Sequence, residues 1–207
     1  MPRNTHKQKS KGSGELRIIG GQLRGRKLAI ADVPGLRPTT DRVRETVFNW
    51  LQFELLDTRC LDLFAGSGAL AFEALSRGAA QVILIEQDTQ AARLLTQHAT
   101  ALSPACSGQA LVQQADALAF LRQQPVQPFD VVFIDPPFGM GLAERCIEQL
   151  VQNSWLAEQS WVYVETERGL APTVPQSWHL HREKHAGQVT FRLYQVRSDI
   201  EPLHEQD

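Results

Sequence analysis

The sequence predicts an α/β protein built on a mostly parallel sheet with helices on both faces, preceded by a small N-terminal β-hairpin. Three observations carry this. From Cys60 onward short apolar runs alternate with helical ones, the pattern that buries parallel strands between helices. Near the C-terminus the pattern changes to period-two alternation around Gly187, which predicts a closing antiparallel hairpin. Ahead of the repeating part lies a glycine-rich, basic stretch with strand character.

Taken in order, LRIIGGQLRGRKLAI (Leu16 to Ile30) reads as two short strands about a Gly20-Gly21 turn, with basic edges. After the loop DVPGLRPTT, Val43, Val47, Phe48, Leu51 and Leu55 recur at helical spacing behind Thr40 or Asp41 as the cap. The repeat then runs CLDLF and ALAFEALSRG; QVILIE and DTQAARLLTQHATAL; QALVQQ and ADALAFLRQQ; FDVVFID and GLAERCIEQLVQN; and finally WVYVE. Ligands of such sheets lie beyond the carboxyl ends of the strands, so the chemistry is expected at Phe64, Glu86, Gln114 and Asp135. The organisation is a disordered basic tail over 1–14, a hairpin-and-helix extension over 15–56, the sheet domain over 57–198 and a flexible tail over 199–207.

Net charge is -2 over 207 residues, but the distribution is uneven. Met1 to Arg44 holds 11 Lys plus Arg against three acids, and the rest holds 10 against 20. A basic arm on an acidic body predicts contact with a polyanion through the arm. No uncharged apolar run approaches the roughly 18 residues of a membrane helix, and the N-terminus lacks the apolar stretch of a signal peptide, which predicts a cytoplasmic protein. The three cysteines, Cys60, Cys106 and Cys146, show no zinc spacing, so no metal is expected.

Asp62 to Gly68, DLFAGSG, falls where the first strand of the repeat meets its helix. Glycines there let a ligand approach backbone N–H groups at a helix N-terminus. Gly66, Gly68 and Ala71 also satisfy G-x-G-x-x-A, with Glu86 twenty residues beyond Gly66, so a nicotinamide oxidoreductase is a rival reading. Charge separates the two: Asp62 repels a pyrophosphate but suits the cationic S-adenosyl-L-methionine. Glu86 accepts from ribose hydroxyls in either case. Asp116, with Ala117, is placed for an adenine, although a helix N-cap explains Asp116 equally well.

FDVVFID ends in Asp135-Pro136-Pro137-Phe138. An exocyclic base amine is a poor nucleophile and needs acceptors for its two N–H bonds; the Asp135 carboxylate and the Pro136 carbonyl supply them. The prolines fix the carbonyl direction, and Phe138 offers a stacking face to an extruded base. An ordinary Pro-Pro turn explains the tetrapeptide alone, but not in register with Asp62 and Glu86.

RIIGGQLRGRKL, RPTTDRVRETVFNWL, CLDLFAGSGALAFEALSRGA, DPPF and REKHAGQVTFRLY together resemble the RsmD-type guanine-N2 methyltransferases of small-subunit (16S) ribosomal RNA, from about Leu16 to Val196. The resemblance implies a Rossmann-like class I methyltransferase with seven strands, the last antiparallel. It also implies methyl transfer from S-adenosyl-L-methionine to one guanine N2 in ribosome assembly, on a partly or fully assembled 30S particle; a monomer is expected. It assigns Asp62, Phe64, Ala65, Gly66, Ser67, Gly68, Glu86, Gln87, Asp116 and Ala117 to the cofactor, and Asp135, Pro136, Pro137 and Phe138 to the guanine. Arg17, Arg24, Arg26 and Lys27 of the arm are expected on RNA phosphate. Arg37, Thr39, Thr40, Arg42 and Arg44 line the cofactor entrance or the RNA surface, unless Arg42 and Arg44 merely pair with Asp41 or Glu45 on a helix surface. Asp-Pro-Pro-Phe equally suits adenine, cytosine or a glutamine amide, and a non-catalytic RNA-binding protein is a further reading.

Overall fold

The computed structural model describes residues 14–33 and 39–197; the two expected tails and Arg37 lie outside them, apart from Gly14. The chain opens with β1 (Glu15–Arg17), β2 (Lys27–Ala29) and α1 (Asp41–Trp50). The body follows as β3 (Arg59–Asp62), α2 (Ala69–Ser76), β4 (Gln81–Glu86), α3 (Thr89–Leu102), β5 (Gln109–Gln114), α4 (Ala117–Leu121), β6 (Phe129–Ile134), α5 (Leu142–Gln152), β7 (Leu156–Glu167), β8 (Trp178–Ala186) and β9 (Val189–Val196).

Seven strands form one sheet in the order β5-β4-β3-β6-β7-β9-β8. The first five are parallel, and β9 runs antiparallel to both its neighbours. The chain order reverses direction at β3, whose neighbours are β4 and β6, so the binding crevice opens at the carboxyl ends of β3, β4 and β6.

Alternation along the strands divides the core. Cys60, Val82, Leu84, Val131, Phe133, Tyr163 and Phe191 face α1, α2, α3 and the hairpin. Leu61, Ile85, Val132, Ile134, Val162 and Val164 face α4 and α5. By the same period of two, Asp62, Glu86, Asp135 and Glu165 fall on the first face, at the strand ends. Thr40 caps α1, its side chain accepting from the Val43 N–H at 3.4 Å, and the buried Val43, Val47 and Phe48 form the apolar stripe the sequence announced.

The hairpin departs from expectation. Gly20 and Gly21 do not make its turn: the strands are three residues each and the connection runs through Ile18 to Arg26, closed by Gly25 N–H to the Ile18 carbonyl at 2.9 Å. Gly21, at φ 73°, presses on the end of α2, where an added Cβ would lie 1.8 Å from the Ser76 carbonyl oxygen. The pair of glycines is therefore a docking feature. Ser76 Oγ accepts from Leu23 N–H and donates to the Gly20 carbonyl, and Glu73 accepts from the Ile19 and Gly20 N–H groups at 2.8 Å each.

Candidate active site

The cofactor loop is shaped by its glycines. Gly68 caps α2 at φ 78°, where an added Cβ would meet the Phe72 ring at 2.4 Å, and Gly66 sits at φ 51°. Phe72 is wholly buried and packs edge-on to His98. Ala65 and Ser67 are buried and Phe64 half-buried, so this segment offers backbone more than side chain.

Glu86 closes the loop from β4: Oε2 accepts from Gly66 N–H and Oε1 from Asp88 N–H, each at 2.8 Å. A carboxylate has about four acceptor directions, so two remain for a vicinal diol. Gln87 beside it is exposed. Asp116 is exposed and caps α4, accepting from Ala119 N–H at 2.8 Å, with Ala117 buried behind it; the capping role is present and leaves the second carboxyl oxygen available.

Asp62 is 1% exposed at the tip of β3 and accepts from Phe64 N–H at 3.3 Å. Burial, then the charge of Asp135 and of Glu86, pushes its pKa up to about 7. Among the described residues no Lys or Arg pairs with it. A buried acid without a cation, beside a loop of open glycines and a ribose-competent Glu86, fits a ligand carrying an ammonium group and a nucleoside. Asp135 follows β6, which pairs with β3 through Asp62 and Phe133. Pro136 is buried, while Pro137 and Phe138 are exposed, Phe138 to 44%. The Gly139 N–H donates to Glu167 Oε1, which ties this loop to the end of β7.

Two contributors were not anticipated. Glu165 of β7 is 5% exposed and takes a hydrogen bond from the buried Tyr163 hydroxyl; burial, then Asp135, raises its pKa above the usual carboxylate range. An acid closing an apolar strand, as Glu86 does, was the available signal in WVYVETE. The second is a contact rather than a residue: Thr39, expected at the cofactor entrance or on the RNA surface, donates Oγ1–H to Asp135 Oδ2 at 3.0 Å across 96 residues of chain, which nothing in the local pattern announces.

The expected RNA surface divides. Arg17, Arg24, Arg26, Lys27 and Arg42 are exposed, with Lys27 paired to Glu15 at 2.9 Å. Arg44 makes the expected alternative pairing with Asp41, at 2.6 Å, but not on a surface: it is 0% exposed and also donates to the Arg17 carbonyl at 2.9 Å, so it is no phosphate contact. It faces the core because position 44 follows Val43 and precedes Val47 and Phe48 on the buried stripe, where the carboxylate of Glu73 lies 3.7 Å away. Among the described residues no three His, Cys, Asp or Glu are grouped to hold a metal ion, and no helix is long and apolar enough to cross a membrane.

A family model described as "Conserved hypothetical protein 95" matches residues 16–195. The "Ribosomal RNA small subunit methyltransferase D" of Escherichia coli strain K12 is 55% identical over 186 residues, 89% of this chain and 91% of that protein. The chain belongs to this family. Its Haemophilus influenzae namesake is 50% identical over 184 residues, 88% of this chain and 94% of that protein. The solved structure of the Escherichia coli yhhF protein superposes with a TM-score of 0.81 at 53% identity, covering 89% of this chain and 99% of that one. The fold is that of the Rossmann-like class I methyltransferases.

The acid cluster sets a pH dependence of stability. Asp62, Asp135 and Glu165 all have folded pKa values above their unfolded ones. Their protonated forms are favoured in the fold, so this stability is present in acid and lost as pH rises through the folded values. The ligand-free protein is expected to melt several degrees higher at about pH 5.5 than at about pH 8, and Asp62→Asn to flatten that slope. Thermal melts across this range check it; a wild-type slope of opposite sign in that window would refute it.

Proposed function

We propose that this protein transfers a methyl group from S-adenosyl-L-methionine to the exocyclic N2 amine of a guanine in small-subunit ribosomal RNA, within an assembled or partly assembled 30S particle. The observation that carries the reading is Asp135-Pro136-Pro137-Phe138 at the carboxyl end of β6, beside the buried Asp62 of β3, in a chain 55% identical to a ribosomal RNA small subunit methyltransferase. When bound, S-adenosyl-L-methionine supplies a methyl group on a sulfonium that leaves as a neutral thioether.

In this reading Asp62 holds the ammonium group, Glu86 the ribose hydroxyls and Asp116 with Ala117 the adenine. The Asp135 carboxylate and the Pro136 carbonyl accept the two amine protons, drawing the nitrogen lone pair out of conjugation. Phe138 stacks on the extruded base, contributing about 1–3 kcal/mol. Asp135 also receives the proton the amine releases; no stronger base is needed, because an alkylated aromatic ammonium is very acidic. Arg17, Arg24, Arg26 and Arg42 take phosphates, positioning without reading sequence. Glu86→Ala is expected to weaken S-adenosylhomocysteine binding by about tenfold or more, through about 1.5–3 kcal/mol for hydrogen bonds to a charged acceptor; calorimetry reads it, and unchanged affinity would remove Glu86 from the nucleoside site.

The direct test incubates the protein with methyl-labelled S-adenosyl-L-methionine and small ribosomal subunits from cells lacking this gene, then identifies the labelled nucleoside. N2-methylguanosine is the expected product. Label in adenosine or cytidine keeps the chemistry and overturns the target; label in protein alone overturns the RNA reading.

A further inference from the structure

Thr39 stands one residue ahead of the α1 cap and donates its hydroxyl to Asp135 Oδ2 at 3.0 Å. Among the described residues it is the only group bonded to that carboxylate. Among the described residues the other titratable groups facing Asp135 are acidic or neutral: Asp62 from β3, and Glu165 with Tyr163 from β7. No Lys or Arg of the described residues reaches it. Without the Thr39 bond the carboxylate would be free to rotate and driven toward protonation, and a protonated Asp135 accepts poorly from an amine.

The hydroxyl answers both problems. It ties one oxygen and leaves Oδ1 as the acceptor for substrate, and it favours the ionised form, opposing burial. Being neutral, it does so without the ion pair a lysine would make, which would leave the carboxylate less basic.

The start of α1, into which Thr39 leads, is tied to β1. The Thr40 carbonyl accepts from Arg44 N–H at 3.0 Å, and the Arg44 guanidinium bonds Asp41 and the Arg17 carbonyl of β1. β1 leads into the Ile19-Gly20 segment pinned by Glu73. We propose that Thr39 is a positioning residue for methyl transfer, its hydroxyl fixing Asp135 so that Oδ1 faces the incoming amine, and that the N-terminal extension is thereby part of the active site. The inference rests on the reading of Asp135 as the amine-holding group.

The full-length chain is assayed as wild type, Thr39→Val and Thr39→Ser, with labelled S-adenosyl-L-methionine and unmodified small subunits across pH, alongside S-adenosylhomocysteine affinity. Thr39→Val is expected to lower kcat by about tenfold to a hundredfold, the cost of a misplaced reacting group, with KM for the particle and S-adenosylhomocysteine affinity within about twofold. The acid limb of its pH profile moves to higher pH, because the bond that favours the carboxylate is gone. Thr39→Ser keeps the hydroxyl and restores both rate and profile. A Thr39→Val enzyme with wild-type kcat and an unmoved acid limb overturns the inference, as does one whose lost activity Ser does not rescue. If wild type itself transfers no methyl group, the functional reading falls and this inference with it, whereas an active wild type with an indifferent Thr39 refutes the inference alone.

Discussion

Asp135→Ala is expected to reduce methyl transfer by roughly a thousandfold or more, while S-adenosylhomocysteine affinity stays within about threefold of wild type. Removing one preorganised group aimed at developing charge costs about 10²–10³ in rate where it has been measured, and Asp135 serves twice, as acceptor of an N–H and as receiver of the proton. Cofactor affinity is spared because the Asp135 charge opposes ionisation of Asp62; its loss relieves a repulsion at the ammonium site. Asp135→Asn keeps a carbonyl acceptor and loses the charge, so it should fall between the two. Single-turnover transfer with calorimetry on the same preparations separates the effects. Wild-type turnover in Asp135→Ala would dismiss the carboxylate from the reaction.

The second large effect is on stability. Glu73→Ala removes a fully buried carboxylate that accepts from Ile19 N–H, Gly20 N–H and Arg77 Nε at 2.8 Å each and lies 3.7 Å from Arg44. Two backbone donors and Arg77 Nε then lose their acceptor at once, and the buried Arg44 guanidinium loses one of its two neighbouring carboxylates, keeping Asp41. Breaking a buried pair from one side costs about 3–5 kcal/mol, a large part of the roughly 5–15 kcal/mol that holds a typical domain together. Urea unfolding measures it, with Glu73→Gln as the isosteric control that keeps one acceptor. A change under about 1 kcal/mol would show that the hairpin is held by its apolar contacts alone.

The two predictions concern residues of very different visibility in the sequence. The strand-helix alternation from Cys60, the two glycines after Asp62, the acid ending QVILIE and DPPF were all legible, because each depends on neighbours a few residues away. Glu73 was not. In ALAFEALSRG it reads as one polar residue on an apolar helix, and its four partners come from Ile19, Gly20, Arg44 and Arg77. Arg44 was half legible: its pairing with Asp41 was one of the expected alternatives, but its burial was not, because the other groups that make it tolerable, Glu73 and the Arg17 carbonyl, are distant in sequence. Gly20-Gly21 was read as a turn because paired glycines usually are, whereas a close approach to Ser76 is what excludes a side chain there. The bond between Thr39 and Asp135 and the proximity of Glu165 to Asp135 belong to the same class, set by sheet order and by the path of the extension.

The anchor of Ile19 and Gly20 on Glu73 also fixes an order of events during synthesis. The two backbone donors leave the ribosome 54 and 53 residues ahead of their acceptor, which at about 5–20 residues per second is a delay of several seconds. For that interval the basic arm has nothing to dock on and is a free, positively charged strand next to ribosomal RNA. A nascent chain halted before Glu73 should therefore be cut readily by protease within 15–30, and one halted after the whole sheet has emerged, with α2 packed on it, should resist.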